Sequence, residues 1–383
     1  MKVLHLCLSA FFIDNYSYQE NMLPKYHVKQ GHEVTVIASL LSYDGKGKAI
    51  VLPHPSEYKD ANGFNVIRLA YKKPQKWNRL FRHYIGLKDY LELIAPDIIF
   101  MHGTSFSDIA IVKQYKKHHN EVKLFADSHA DYINSGRNWW SLHILHKVIW
   151  KHYTKLIEPY LVKCYGVTPL RCDFLKEVYG VKPSKVEYLP LGVDDELIPV
   201  DRKKTREEIR RELGVNDDSF LIFTGGKVDK RKNIHLLLDA LECLNIPEVH
   251  VVICGVLTHE MEYLKEIINN NSNIHYLGWC DANRVMNCMI ASDLACFPGT
   301  HSTLWEQSIG VGLPAVFKQW DKMEHVNVNG NCYLIKEGNV EQLKIVIRDL
   351  SSKGEDYMML KKLSIEASKS FLYSEISKKA ISW

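Results

Sequence analysis

The 383-residue chain has no stretch of 18 uncharged apolar residues, so a single membrane-spanning helix is not expected. It has nine cysteines but no Cys-x-x-Cys pair, and Cys7, Cys254 and Cys296 lie inside apolar runs. Such thiols behave as small buried hydrophobes, so disulfides and a zinc site are not expected and a reducing cytoplasm fits. There is no Asp-x-Asp and no metal-ligand spacing of His or Cys, which implies a chemistry without a metal and no cofactor of that kind. Charge of either sign is not in large excess. The formal net charge of +4 is too small to argue for a nucleic-acid partner. The apolar run Met1–Leu8 contains a lysine and lacks a small-residue cleavage site, so it reads as a first strand rather than a signal peptide.

What the chain does have is alternation. Short apolar runs at Val3–Leu8, Glu33–Ala38, Asp97–Met101, Val122–Ala126 and Leu161–Val167 read as strands. Tyr18–Gln30, Asn78–Ile94, Ser107–Lys117 and Leu142–Glu158 between them carry helical spacing. A second series follows, with strands at Phe220–Thr224, Val249–Cys254, Ile274–Leu277, Leu294–Phe297 and Ala315–Phe317. Its helices are read at Lys232–Leu244, Glu260–Asn269, Asn283–Ala291, Thr303–Val311 and Val340–Ser351. Nearly continuous apolar strands alternating with helices imply parallel sheets covered on both faces. The length exceeds what one core supports. Prolines 183, 190 and 199 mark a boundary, and Asp201–Glu212 reads as a solvated helix. The expected fold class is therefore α/β, with two doubly wound Rossmann-like domains. We expect them at 1–182 and 183–365, facing each other across an interdomain cleft.

Open parallel sheets bind ligands beyond the carboxyl ends of their strands, so chemistry is sought there. The strand at Phe220–Thr224 runs into Gly225-Gly226-Lys227-Val228-Asp229-Lys230-Arg231-Lys232-Asn233 and then a helix. Two glycines allow close backbone approach, helix-start amides bind anions, and Lys227 and Lys232 add charge. A diphosphate suits this loop, which also reads as a solvated basic loop. The spacing is not that of a Walker ATPase loop.

Gly226-Lys227 followed by Lys232-Asn233 resembles the Gly-Arg-…-Lys-Gly/Asn loop of glycosyltransferase family 4. In that family the two cations hold the donor diphosphate, and here Lys227 stands in the place of the Arg. Pro298 to Gln307, followed by Gly312-Leu313-Pro314, is similar to the family's Pro-Ser-x-x-Glu…Glu-Ala-x-x-x-Gly-Leu-Pro stretch, with a loop about three residues shorter. In the family the two glutamates contact the donor sugar and the nucleotide ribose. His301 stands near the first and Gln307 aligns with the second, with Glu306 one residue earlier. Adjacent helix positions point about 100° apart, so one of these two faces the ribose well, and Glu306 is the choice because a carboxylate accepts from two vicinal hydroxyls. The other reading of Glu306 is a capping box with Thr303. The resemblance assigns donor binding to Gly226, Lys227, Lys232, His301, Ser302, Thr303, Glu306 and Gln307, with His301 otherwise a structural loop histidine.

In the first half, Gly31-His32-Glu33-Val34 and Ala95-Pro96-Asp97 also resemble the family's pattern, and Leu189-Pro190-Leu191-Gly192-Val193-Asp194 resembles its Pro-Asn-Gly-Val-Asp with Leu191 in place of the Asn. The family carries a histidine, after the strand equivalent to Val122–Ala126, that bonds the transferred sugar. His129 is the candidate here, with a structural loop histidine as the alternative, and Asp131 is a candidate to orient an acceptor hydroxyl. The departure is the loop after the first strand. The family's Gly-Gly is replaced by Ser9-Ala10-Phe11-Phe12-Ile13-Asp14, and no glycine precedes Gly31.

The resemblance implies a GT-B fold whose last helix, 366–383, crosses back to the first domain. It implies a retaining, metal-independent glycosyltransferase, with His129, Lys227, Lys232 and Glu306 at the catalytic centre. The implied donor is a nucleotide sugar and the implied acceptor a glycan or lipid-linked saccharide, as in surface polysaccharide biosynthesis. A nucleotide-sugar 2-epimerase of the same fold and a non-catalytic sugar-binding subunit remain alternatives. The stretch Tyr71–Tyr84, and Trp139, Trp140, Trp150 and Tyr153 among Arg137, Lys147 and Lys151, mix cations with aromatics. Either they lie on an anionic membrane from the cytoplasmic side or they pack as half-buried helices.

Overall fold

The computed structural model describes residues 1–44, 48–72, 81–133 and 135–383. Residues 73–80 of the basic aromatic stretch, and the start of the helix read from Asn78, lie outside the described residues. The chain forms two units, Met1–Pro190 with Ile376–Trp383, and Leu191–Glu375. The division thus falls beyond the expected 182/183. The strand Val186–Tyr188 pairs with Cys164–Gly166 and carries the first unit's sheet past that point. The returning segment is also shorter than 366–383, because Phe371 O accepts from Val193 N at 2.8 Å and stays with the second unit.

The first unit runs β1 (Lys2–Cys7), α1 (Gln19–Lys29), β2 (Glu33–Ser39), β3 (Leu41–Tyr43), β4 (Ala49–Val51), β5 (Ser56–Lys59) and β6 (Asn65–Leu69). It continues through α2 (Leu87–Ile94), β7 (Ile98–His102), α3 (Ile109–His118) and β8 (Lys123–Ser128). A π-helical segment, Ser141–Trp150, then leads into α4 (Lys151–Ile157), β9 (Leu161–Gly166), α5 (Pro169–Glu177) and β10 (Val186–Tyr188). The sheet order is β10-β9-β8-β7-β1-β2-β6-β5, parallel except for the edge strand β5, and β3 and β4 form a separate hairpin. Alternation along the strands sends Leu4, Leu6, Ile99, Met101, Leu124 and Ala126 to one apolar core. Their neighbours His5, Phe100, His102 and Asp127 are sent to the other face, also fully buried. Gly31 ends α1 at φ +83°, the left-handed turn expected of it, its amide donating to Val28 O.

The second unit runs α6 (Arg202–Leu213), β11 (Phe220–Gly225), α7 (Ile234–Leu244), β12 (Val249–Cys254), α8 (Leu264–Asn270), β13 (Ile274–Gly278) and α9 (Ala282–Ala291). Then come β14 (Leu294–Phe297), α10 (Thr303–Gly310), β15 (Ala315–Lys318), β16 (Cys332–Ile335), α11 (Val340–Ser351), α12 (Glu355–Ser368) and α13 (Tyr373–Ala380), whose last turns belong to the first unit. Its sheet is wholly parallel, in the order β13-β12-β11-β14-β15-β16. Apolar side chains fill both of its faces. Asp293 is buried and takes Arg206, Arg210 and the Leu221 amide, which ties α6 to the sheet. The strand order reverses between β11 and β14, and in such sheets the crevice beyond the strand ends at the reversal is where ligands bind.

Candidate functional site

In the second unit the loops after β11 and β14 leave the sheet side by side. Gly226 turns at φ +96° while its amide donates to Cys254 O at 2.8 Å. A Cβ on Gly255 would fall 1.8 Å from Gly226 O, and one on Gly299 would fall 2.3 Å from Arg231 O. Glycine at these positions is what lets three strand-end loops pack backbone to backbone. Asp229 accepts from the Arg231 amide and pairs with its guanidinium at 2.7 Å, fixing the short turn Lys230–Lys232. Asn233 then takes the left-handed conformation and reaches Pro298 O before α7 begins.

Lys232 joins the two loops. Its Nζ donates to Thr300 O at 2.9 Å and to His301 O at 2.8 Å. Burial disfavours the ammonium and lowers its pKa to about 8. Lys227, by contrast, projects into solvent. Ser302 caps α10 by accepting from the Leu304 amide, and a Cβ on Gly226 would lie 3.7 Å from Ser302 Oγ. The glycine turn and the start of α10 therefore adjoin, with Lys232 alongside. Amides at a helix start, a half-buried ammonium and a backbone without side chains together make a place for an anion.

Glu306 does not form the capping box with Thr303, because Ser302 already caps the helix and Thr303 is exposed. Nor does its carboxylate face outward, as the ribose reading requires. It is fully buried, and its Oε1 accepts from His301 Nε2 at 2.8 Å and His325 Nε2 at 2.9 Å. Burial pushes its pKa up, but the two imidazoles outweigh burial and hold it at about 2. Residues Trp305, Glu306, Ser308 and Ile309 all face the core, whereas Gln307 is half-buried. The choice of Glu306 over Gln307 is corrected on that ground: the residue one step along the helix is the more accessible of the two. His325 was not found from the sequence. It follows β15, 19 residues beyond Glu306 in the chain, and no spacing rule links the two. His301, Glu306 and His325 have ligand atoms close enough together to hold a metal ion. Both Nε2 atoms donate to the same carboxylate oxygen, while Glu306 Oε2 is buried without a hydrogen-bond partner.

In the first unit His129 follows β8, half-buried, with Nε2 at 3.8 Å from Asp127 Oδ2 and 3.9 Å from Glu20 Oε1. Burial lowers its pKa, but the two carboxylates outweigh burial and the net direction is upward. Asp131 is buried and engaged with Arg171 Nε at 3.1 Å and the Ile133 amide, so it is a structural residue rather than one open to an acceptor. The residues replacing the family's Gly-Gly loop line an apolar pocket: Ser9, Ala10 and Phe11 with Leu41, Val51 and Tyr84. Trp139 and Trp140 are exposed, while Trp150 is buried in the core, so the second basic aromatic stretch divides into a surface part and a packed part. Among the described residues no helix is long and apolar enough to cross a membrane.

Two doubly wound units of this kind make up the GT-B fold. Two family profiles match the chain: Glycosyltransferase Family 4 over residues 22–197 and Glycosyl transferases group 1 over residues 205–366. The chain belongs to glycosyltransferase family 4 and is a glycosyltransferase. Solved structures agree on the fold. HepE (Alr3699) of Anabaena, in complex with UDP, superposes with a TM-score of 0.66 at 15% identity over 99% of this chain and 98% of its own. WaaG, a glycosyltransferase of lipopolysaccharide biosynthesis, gives 0.64 at 17% over 99% and 98%. A putative UDP-N-acetylglucosamine 2-epimerase of Listeria monocytogenes gives 0.62 at 15% over 99% and 94%. No curated protein sequence matches the chain.

Proposed function

We propose that this glycosyltransferase takes a sugar from a nucleotide-sugar donor, with retention of anomeric configuration, and passes it to a glycan or lipid-linked saccharide of surface polysaccharide biosynthesis. The observation that carries the reading is the meeting of the Gly226 turn, Lys232 and the start of α10 at the strand-order reversal of the second unit. HepE, of the same fold, has been crystallised with UDP and with UDP-glucose.

When the glycosidic bond to the diphosphate breaks, negative charge grows on the leaving oxygen. Lys232, Lys227 and the amides opening α10 offset it, so the reaction needs no metal. Ser302 and Thr303 sit at that helix start as further donors to the diphosphate. His301 contacts the donor sugar. Its Nε2 hydrogen is committed to Glu306, so in the neutral ring Nδ1 is left as an acceptor for a sugar hydroxyl. Glu306 is assigned to support His301, and Gln307 to meet the ribose. His129 is the first unit's contact to the transferred sugar, its imidazole held by Asp127 and Glu20. The apolar pocket at Phe11 supports an acceptor with an apolar portion. Trp140, Ile144 and Val148 are exposed at four-residue intervals, and supply an apolar stripe for peripheral contact with an anionic leaflet on the cytoplasmic side.

The test is incubation with UDP- and ADP-sugars, with and without saccharide acceptors, for the wild type and Lys232→Ala. Transfer that collapses in the variant supports the scheme. Epimerisation of the nucleotide sugar with no acceptor present would instead establish the epimerase reading, and undiminished transfer by Lys232→Ala would remove the lysine from the mechanism.

A further inference from the structure

The face of the first unit's sheet that α1 covers carries a continuous row of buried polar groups. His27 Nε2 lies 2.9 Å from the carbonyl oxygen of Ser377, in the segment that returns to this unit. His27 Nδ1 lies 2.9 Å from His5 Nε2, His5 Nδ1 lies 3.0 Å from His102 Nε2, and His102 Nδ1 lies 3.1 Å from Asp127 Oδ2. All three imidazoles and the carboxylate are sealed from solvent. Four links therefore join a carbonyl at one end to a carboxylate at the other.

We infer that this row holds one proton more than three neutral imidazoles and a carboxylate supply, so that Asp127 and its histidines are together uncharged. The argument is a count. Each link needs one hydrogen. A neutral imidazole provides one, and neither the Ser377 carbonyl nor an ionised Asp127 provides any. Starting from Ser377, the carbonyl forces Nε2–H on His27. That forces Nε2–H on His5, and His5 in turn forces Nε2–H on His102. His102 Nδ1 then faces Asp127 Oδ2 with no hydrogen between them unless a fourth proton is present. The alternative sets a lone pair of His102 Nδ1 against one of Asp127 Oδ2 at about hydrogen-bond distance, and leaves the buried imidazole nitrogen without a donor at its full desolvation cost. The fourth proton, on His102 or on Asp127, removes that clash and cancels the buried charge.

The groups facing the row do not supply this hydrogen. Gly103 N and Gln19 Nε2 donate to Asp127, but both sit outside the His102 link. Glu20 on α1 adds negative charge nearby, Cys7 on β1 and Cys164 on β9 are thiols held neutral by burial, and His129 lies 3.8 Å from Oδ2. Beside His27, His32 is the neighbouring ring, 6.0 Å away between centroids. The row ends on a carbonyl oxygen, which accepts a hydrogen and has none of its own to pass on. The row acts as a positioning device. It couples β1, β7, β8, α1 and the returning segment, and through Asp127 it fixes Gly103 and the strand end from which His129 departs.

Two measurements decide it. In the full chain labelled with 15N-histidine, at about pH 8, ring-nitrogen NMR should find four N–H among the six nitrogens of His5, His27 and His102. If it finds three, a protonated Asp127 carboxyl should appear in the infrared. Three N–H with an ionised carboxylate would overturn the proposal. Second, Asp127→Asn supplies the missing hydrogen from its own amide, and the Gln19 amide, turned over so that its unpartnered Oε1 replaces Nε2, accepts the other amide hydrogen. The wild type keeps a proton on folding that the unfolded chain releases, and the variant does not. The ratio of their unfolding constants, wild type over variant, should then rise about tenfold per pH unit above neutrality. Parallel pH dependences of the two proteins would refute the extra proton, and the NMR count stands even if the variant folds poorly.

Discussion

Lys232 makes the sharpest test of the donor site because its geometry and its titration point the same way. Two carbonyls and burial surround its ammonium, and burial brings its pKa down from 10.5 to about 8. The unfolded chain therefore keeps this proton between about pH 8 and 10.5 where the folded chain has released it. Stability from this group is present above the unfolded value and is lost as pH falls through 8. Below pH 8 the folded unit carries a cation short of counter-charge, which a bound diphosphate relieves. Nucleotide binding should accordingly take up a proton near pH 8–9. The affinity for UDP or ADP should weaken about tenfold per pH unit above 8. A charge-assisted hydrogen bond is worth about 1.5–3 kcal/mol, so Lys232→Met should bind the nucleotide about 10- to 150-fold more weakly at pH 7, with no slope above pH 8. Isothermal titration across pH 7–9.5 measures both quantities. Equal affinity for the two proteins at pH 7, or the same slope in the variant, would refute the assignment of this lysine to the diphosphate.

Three further outcomes are expected. Glu306 sits at about 2 instead of 4.5 and should contribute about 3 kcal/mol to stability at neutral pH, lost as pH falls from 4.5 through 2. Glu306→Gln should lose about that amount at pH 7 and show a flatter acid limb in urea unfolding, and an unchanged limb would contradict the buried trio. Gly255→Ala places a methyl 1.8 Å from Gly226 O and should cost several times the ~1 kcal/mol expected of Gly214→Ala, which turns at φ +69° with no atom within 4 Å; thermal unfolding compares the two. Flotation with acidic liposomes at low salt should carry the wild type and should fail for the double change Trp139→Ala, Trp140→Ala, whose side chains are exposed. Equal flotation of both proteins would reassign the contact to another surface.

How far the sequence reaches depends on whether a feature is periodic. Strands buried on both faces are continuous apolar runs, so β11, β12 and β14 were legible to within a residue, and with them the loops that hold Gly226, Lys232 and His301. The short elements β3, β4, β5, β6, β10 and β16 and the helices α5 and α12 are not read from the sequence, since strands of three to five residues carry too little pattern and α12 has a nearly uniform periphery of apolar and charged residues. Side-chain direction is the harder loss. At the start of α10 the sequence shows that Glu306 and Gln307 point about 100° apart, but not which of them faces the core. That is decided by Phe317, which stacks on Trp305 at 4.5 Å, and by His325, and neither contact leaves a mark in the local sequence. The same holds for His5, His27 and His102. His5 and His102 look like lone polar interruptions of apolar strands and His27 like one more polar residue of a mixed helix, and their meaning comes only from the strand order that sets β7 beside β1 and from the packing of α1 on that sheet. Polar residues inside apolar runs are costly to bury singly, so their presence is itself evidence of partners supplied from elsewhere in the fold. In this chain the buried histidines flank the strand ends where the candidate site residues lie, at Asp127 next to His129 and at Glu306 behind His301. The positions at which the sequence departs from an ordinary core are therefore the ones that hold the site's side chains in place.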